Sequence, residues 1–448
     1  MSILSNETRQ KWLYGSTLPY AEAPWARGCP SPYYRDSHRR LRDAMRTWVE
    51  TNLVPFVQDW EQAATLPAEL WHKAAEDGVL MPMGAGSKIP EDWRGVHPII
   101  GNVPPEEWDG FHDFILHDEF GRVGGAGFVP RLFWIYERKH TLAIPAIQRF
   151  GSAQLRQRVI PDVLRGKSRI ALAITEPDAG SDVAGLQTEA RLTADGQHFI
   201  INGQKKWISS GTYADYFLTL VKESDGNFTL LVVPRQEGLT TRHITVSGST
   251  TAGTAFVDFD DVKVPVGMVV GERGKGFKYV VSNFNHERLF ISMQALRCSR
   301  VCLEDSIQYA LSRQTFGKVL VEHAVIRYKF ANMSREVEAL QSWLESLIYQ
   351  LHSLSPAEAE FLLAGTTAQI KAHAGIVLQH VAGDAIQIMG GIGLTRGGRG
   401  ERVERIWRDV KALTVPGGSE EIMLDLAVRR AVKAHTELER LSVSKERL

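Results

Sequence analysis

The sequence predicts an α+β chain in three stretches: helical, then β, then helical again. Apolar residues recur at three- and four-residue steps in the first third, short β-type runs alternate with turn dipeptides in the middle, and long segments of helical spacing return after Gly276. A chain of 448 residues is well beyond one typical domain core, so several domains or one large composite fold are expected.

The first helical stretch covers about 34–165. Leu41, Met45, Trp48, Val49 and Leu53 mark one helix face, and Pro55 interrupts it because proline lacks the amide donor a helix interior needs. Residues 81–110 are rich in Gly, Pro and Trp, too irregular for a helix, and read as a long surface loop. From about 170 to 265 the spacing turns β-like. Asp195-Gly196 and Asn202-Gly203 bracket His198-Phe-Ile-Ile201, a hairpin signal because such dipeptides tolerate the positive φ of tight turns. Residues 216–221, 228–233 and 254–259 are further strands. Helical spacing then resumes over 277–313, 323–351, 357–389 and 420–441, punctuated by Gly390-Gly-Ile-Gly393.

Composition narrows the function classes. Hydrophobic residues make up 44% and charged residues 23%, which excludes wholesale disorder, collagen-like repeats and a disulfide scaffold. Lys+Arg and Asp+Glu number 52 each, and no long basic block marks a nucleic-acid surface. Cys29, Cys298 and Cys302 are too few and scattered for an extracellular disulfide framework, so a reducing compartment is expected. Cys298 and Cys302, four apart in a helical pattern, read as buried packing. No uninterrupted apolar run reaches the roughly 18 residues of a membrane span. Residues 1–20 lack the apolar core of a secretory signal, and Lys445-Glu-Arg-Leu448 matches a peroxisomal Ser-Lys-Leu address poorly. The cytoplasm is the default location, with mitochondria and peroxisomes left open.

The segment from Ala173 to Gly185 carries most chemistry. Thr175, Ser181 and the amides around Gly180 offer hydrogen-bonding groups on a chain whose small residues permit close approach, which suits a planar or phosphorylated ligand. On those grounds alone, an ordinary turn explains it as well. Its wording, however, resembles the acyl-CoA dehydrogenase signature: Thr175-Glu-Pro-Asp-Ala-Gly-Ser-Asp182, followed by Asn202-Gly-Gln-Lys-Lys-Trp-Ile-Ser-Ser-Gly211. Further matches follow in the family's order: Phe259-Asp-Asp-Val-Lys-Val-Pro265, Gly271-Glu-Arg-Gly-Lys-Gly-Phe277, Arg313-Gln-Thr-Phe-Gly-Lys318, Gln387-Ile-Met-Gly-Gly-Ile-Gly393 and Gly417-Gly-Ser-Glu-Glu-Ile422. The resemblance implies a helical domain over 1–168, a β-barrel domain over 169–273 and a four-helix bundle over 274–448.

It also implies FAD and an acyl-CoA substrate. At the positions matching relatives, Trp207 walls one face of the flavin, Ser209 lies near its N5, Ile174 and Thr175 meet the pyrimidine end, and Leu172, Ile208 and Ser181 complete that side. Fixed donors there stabilise the charge that develops on reduction. Arg313 and Phe316 match residues that reach the pyrophosphate and adenosine from a neighbouring subunit, joined by Gln387, Gly390 and Gly391, with Ser419 and Glu421 on the late loop. Arg suits bidentate phosphate contact. Ala324 replaces the Gln that relatives often carry after the equivalent of His323, which puts one adenosine contact in doubt. A homodimer or homotetramer follows from the shared site.

The reaction needs a carboxylate to take the proton next to the thioester carbonyl. Many relatives carry that Glu on the late loop, but here the position is Gly417. A minority, including isovaleryl-type and long-chain-type members, carry it on an early C-terminal helix in a Leu-x-x-Glu-Arg context. Phe284-Asn-His-Glu-Arg-Leu289 matches and makes Glu287 the expected base. The Gly417 amide remains to polarise the thioester oxygen. Ser181, Arg288 and Gly418 match substrate contacts; Asn285 stands where relatives more often have Asp.

The electron acceptor is an electron-transfer flavoprotein, or oxygen if the chain is an oxidase or monooxygenase of the same superfamily; a non-CoA substrate and a DNA-associated flavoprotein are the other readings. Against the last, Arg396, Arg399, Arg402, Arg405 and Arg408 interleave with Glu401, Glu404 and Asp409 and read as an ion-paired surface. His112, Asp113, His117, Asp118 and Glu119 read as a solvated helix face, since a spacing of five spreads the histidines around the helix. His373 and His380 share a helix side but lack a third ligand. No metal, nucleic acid or membrane partner is expected.

Overall fold

The computed structural model describes residues 13–124, 143–282 and 284–445. Parts of the expected first helical stretch, the beginning of the 1–20 segment and most of the Lys445-to-Leu448 tail lie outside the described residues.

Helix α1 (Asp36–Asn52) stops three residues before Pro55 and buries Leu41, Met45, Trp48 and Val49, as its periodicity predicts. Short helices follow: α2 (Val57–Ala63), α3 (Glu69–Glu76) and α4 (Leu80–Ala85). Here the expected surface loop holds only in part. Met81 and Met83 lie in α4, and Trp93 and Trp108 are 2% and 4% exposed, so the segment anchors its apolar side chains in the core while polar residues such as Ser87, Lys88, Glu91 and Glu106 stay exposed. The Trp108 indole donates to the Gly86 carbonyl at 2.7 Å, and that of Trp93 to the Gln148 side chain at 3.1 Å. Burying these rings against a folded-back backbone outweighs the segment's lack of periodicity.

Helix α5 (Gly110–Gly121) is buried nearly all round. This overturns the expected solvated face: His112, Asp113, His117 and Glu119 are all buried. The Asp109 carboxylate caps the helix, accepting from the amides of Phe111 and His112 at 2.9 and 3.2 Å. Helices α6 (Ala143–Phe150) and α7 (Ala153–Leu164) lead into the sheet.

The sheet comprises β1 (Ile170–Ala173), β2 (Glu189–Leu192), β3 (His198–Ile208), β4 (Tyr216–Glu223), β5 (Phe228–Pro234), β6 (Leu239–His243) and β7 (Ala255–Pro265), in the order β1-β4-β2-β3-β7-β6, with β5 beside β4. The turn at Gly196, with φ of 68°, joins β2 to β3 as expected. Asn202-Gly203 makes no turn. It lies inside β3, where the register against β7 shifts, and Gly203 takes φ of 140°. A bulge explains the dipeptide: Asn202 accepts from the Asp261 amide at 2.9 Å and donates to its carboxylate at 2.8 Å across the strands.

After α8 (Gly276–Val281), the last third forms a helical bundle of α9 (Phe284–Ser312), α10 (Ala324–Ser353), α11 (Pro356–Met389), α12 (Glu401–Thr414) and α13 (Glu420–Lys445), with a small hairpin, β8 (Gln314–Thr315) and β9 (Lys318–Val319), between α9 and α10. Ser355 and Glu358 form a capping box and Pro356 opens α11. A window within Pro356–Leu394 reaches a mean hydropathy of 1.2, long and apolar enough by composition to span a membrane, yet 61% of it is buried among the neighbouring helices. Cys298 and Cys302 are buried and form no disulfide, as expected.

The chain forms two compact units: one of Met1–Gln58, Asp109–Ala126 and Arg288–Leu448, the other of Asp59–Trp108 and Gly127–Glu287. The sheet and its flanking short helices belong to the second. The first is tied by a buried ionic network, in which Arg46 donates to Glu22 at 2.9 Å and Glu119 at 2.5 Å, while Arg297 bonds Asp118 and reaches Glu22 at 3.3 Å. Burial alone would raise the Glu22 carboxyl, but Arg297, Arg46 and Arg122 hold it well below the usual carboxylate range.

Candidate active site

Within the unit that holds the sheet, the site residues gather at one end of β1 and β3. Leu172 pairs with Leu218 in β1 and is half-buried, Ile174 is buried, and Thr175 is half-buried at the start of the loop to β2. That loop is pinned, not loose. The Glu176 carboxylate accepts from the amides of Gln187 at 2.5 Å and Thr188 at 2.9 Å, and Lys206 N donates to the Thr175 carbonyl at 2.9 Å. Its tip carries exposed Ser181 beside Gly180, around which a Cβ would meet nothing within 4 Å.

A second register shift in β3, between Lys205 and Ile208, sets Trp207 at φ of 61° and leaves its ring 49% exposed. Holding a large aromatic in left-handed backbone and half in water is unfavourable in isolation, and such strain concentrates at functional positions. Ile208 and Ser209 behind it are buried. The Ser210 hydroxyl, fully buried with φ of 56°, has no hydrogen-bond partner among the described residues. An exposed aromatic ring on left-handed backbone, three residues before an unpartnered hydroxyl, fits a planar polar ligand such as a flavin.

Glu287 is the last residue of this unit. It lies in the first turn of α9 and is 6% exposed. Asn285 and His286 beside it are half-buried, and Gly86 sits against His286: a Cβ on Gly86 would lie 3.1 Å from His286 Nε2.

The other site residues belong to the first unit. Arg288, buried, donates from Nε to the Gly417 carbonyl at 3.3 Å. Lys371 donates to the carbonyls of Thr414, at 2.6 Å, and Gly418. Gly417 and Gly418 take φ of 72° and 107°, so the late loop adopts a path that only glycine follows freely, with both carbonyls drawn toward cations. Ser419 is half-buried, and a bond from it, after the residue's own amide, lowers the exposed Glu421 carboxyl.

Arg313 is exposed at the root of the β8–β9 hairpin, and Phe316 at its turn is 97% exposed with φ of 51°. Gln387, Gly390 and Gly391 are exposed at the end of α11, with open space around both glycines. Arg399, donating to Ser312 Oγ at 2.9 Å, brings this glycine loop beside the hairpin root. The expected ion-paired Arg surface is only partly so. Arg402 bonds Asp305 and Glu304, and Arg408 bonds Glu404, but Arg405 is fully buried and donates to the carbonyls of Gly124 and Val123 at 2.5 and 2.8 Å.

His38, Asp109 and His112 are the one His/acid group among the described residues close enough to suggest a metal. Asp109 Oδ1 lies 2.9 Å from His38 Nε2 and 2.9 Å from His112 Nδ1, both hydrogen-bond lengths, and the same oxygen caps α5. Those atoms are already engaged as a cap. Sequence reasoning missed Lys205, Ser210 and Lys371. The first two stand inside the quoted Asn202-to-Gly211 motif, while Lys371 had no motif to single it out.

Comparisons with known proteins agree with this layout. Family models described as the N-terminal, middle and C-terminal domains of acyl-CoA dehydrogenase match residues 35–167, 171–262 and 274–432. The acyl-CoA dehydrogenase apdG of Emericella nidulans is 40% identical over 426 residues, covering 93% of this chain and 96% of its own. The acyl-CoA dehydrogenase AFT10-1 of Alternaria alternata is 38% identical over 423 residues, covering 93% and 96%. A crystal structure of acyl-CoA dehydrogenase from Geobacillus kaustophilus superposes with a TM-score of 0.79 at 27% identity, covering 90% of this chain and 100% of that one.

Proposed function

The chain belongs to the acyl-CoA dehydrogenase family, and from that premise we propose that it oxidises an acyl-CoA thioester to the trans-2-enoyl thioester with Glu287 as the base. It is an oxidoreductase whose cofactor is FAD. Along the sequence its domains are taken as 1–168, 169–273 and 274–448, although by packing the first stretch divides between the two compact units described above, and the working molecule is a homo-oligomer.

FAD, when bound, supplies the hydride acceptor for the carbon β to the thioester. The protein's own residues do the rest. Glu287 takes the proton from the α-carbon, so that one proton and one hydride leave neighbouring carbons and a double bond remains between them. The Gly417 amide donates to the thioester carbonyl, which acidifies the α-proton; Arg288 holds that loop by its carbonyl. Trp207 would wall the ring, Ser209 and Thr175 would meet its polar edge, and Arg313, Phe316, Gln387, Gly390 and Gly391 would hold the dinucleotide end. Ser181, Asn285 and Gly418 contact the substrate. Electrons then pass to an electron-transfer flavoprotein. A base on an early helix inclines the choice toward branched or longer acyl groups.

The observation that carries this reading is a carboxylate only 6% exposed in the first turn of α9, in a chain whose late loop offers glycine instead of an acid. A panel of acyl-CoA thioesters scanned anaerobically for flavin bleaching tests it, with Glu287→Gln beside wild type. The variant should keep its yellow cofactor and bleach about 100-fold more slowly or worse, the usual loss for a positioned base. Undiminished bleaching would move the base elsewhere. Rapid recolouring in air, with peroxide, would replace the flavoprotein acceptor by oxygen.

A further inference from the structure

Lys205 sits on β3 between the bulge at Gly203 and the exposed Trp207, and the scheme above gives it no role. Its side chain is fully buried. Removing an ammonium from water costs several kcal/mol, on the order of what a close anion and good hydrogen bonds can return. Here both are present: Nζ donates to the Glu176 carboxylate at 2.7 Å and to the main-chain carbonyl of Ile174 at 3.1 Å. Glu176 in turn holds the amides of Gln187 and Thr188. One cation therefore ties both ends of the 174–188 loop to the strand that carries Trp207.

The geometry has an electronic consequence. The Ile174 carbonyl and the Thr175 N–H belong to one planar trans peptide, so they point in opposite directions. An ammonium on the carbonyl oxygen polarises that peptide and strengthens its N–H as a donor on the far side. Burial pushes the Lys205 ammonium down to about 8, with Glu176 opposing the fall, while Lys205 and the bonds from Thr188 and Gln187 lower the Glu176 carboxyl against its own burial. At neutral pH the pair is ionic.

We infer that Lys205 is a positioning residue for the flavin: it fixes the Ile174–Thr175 peptide against the pyrimidine end and sets a positive charge behind the edge where negative charge collects on reduction. The inference rests on the flavin site proposed above.

Lys205→Met and Lys205→Gln test it on the purified holoprotein, by FAD dissociation constant and by flavin midpoint potential against reference dyes. The Met variant should weaken FAD about tenfold, the order of one lost charge-assisted hydrogen bond, and shift the potential to more negative values. The Gln variant, neutral but still a donor, should recover most of the affinity while its potential stays negative. Wild-type affinity and potential in both variants, or a loss of thermal stability alone, would overturn the proposal. If the Met variant does not fold, the Gln potential decides by itself. A wild-type protein that takes up no FAD would instead defeat the underlying site assignment, and is seen before any variant is made.

Discussion

Gly203 shows how one residue without a side chain places several that have one. Its φ of 140° is open to glycine, and a Cβ there would lie 2.7 Å from the Thr188 Cα, a backbone atom that cannot swing aside. Thr188 is the residue whose amide Glu176 holds. A methyl group at this point pushes on the same loop that Lys205 fastens. Gly203→Ala should therefore cost about 2–3 kcal/mol of stability, the scale of steric strain at a special backbone position. It should also weaken FAD retention, measured as flavin content after gel filtration. A variant as stable and as yellow as wild type would show that β3 and the loop slide independently.

At the scale of elements, α1, α5 and α9 are joined by charge as well as by apolar packing. Arg297 on α9 is 2% exposed and bonds Asp118 on α5 and Glu22 before α1. Removing one member of a buried ionic group leaves its partners uncompensated, so Arg297→Met should destabilise by about 3–5 kcal/mol in chemical denaturation. The pH dependence has a definite sign. Glu22 is held below its ordinary value of 4.5, so its stabilisation is complete above that pH and fades as acid protonates it. The gap between wild type and variant should be widest near neutrality and narrow below about pH 4.5; a gap constant with pH would exclude Glu22 as its source. The same helices show what was legible. The face of α1 could be read because its polar side meets water and its apolar side does not. Helix α5, buried all round, gave no such contrast, and His112 and His117 looked like solvent residues because sequence does not reveal which polar groups have partners. Strands β4 and β5 announced themselves by apolar content. Strand β1, four residues long, was too short to show a period, and β6 (Leu239–His243) has a mostly polar, exposed sequence. Candidate site residues could be named from the sequence where a motif specifies the residue type, as at Glu287 and Trp207, and their part in the reaction is what the proposal tests. Hydrogen bonds between residues far apart in the chain, such as those of Lys205 to Glu176 and of Lys371 to the Thr414 carbonyl, could not be read from the sequence.

Over the whole molecule, the last third carries apolar side chains exposed along one helix. On α13, Leu424, Val428 and Val432 succeed one another at four-residue steps and are 42%, 61% and 58% exposed, so they form a stripe along one side. Leu362 and Ile376 on α11 are 48% and 43% exposed. Contiguous exposed apolar residues of this kind mark protein–protein contact. Phe316, nearly bare on a hairpin turn held at positive φ, is a second such position and stands beside Arg313, the proposed dinucleotide contact for a neighbouring copy. If copies meet through the stripe, then the cofactor depends on the assembly: a chain alone lacks the Arg313 and Phe316 that another would lend. Val428→Glu with Val432→Glu should yield a smaller species by light scattering after gel filtration. It should also lose FAD in proportion, although neither residue belongs to the proposed cofactor site, and concentrating the protein should restore both together because association is governed by mass action. Dissociation with full retention of FAD would mean that each chain completes its own site and that Phe316 is exposed for another reason.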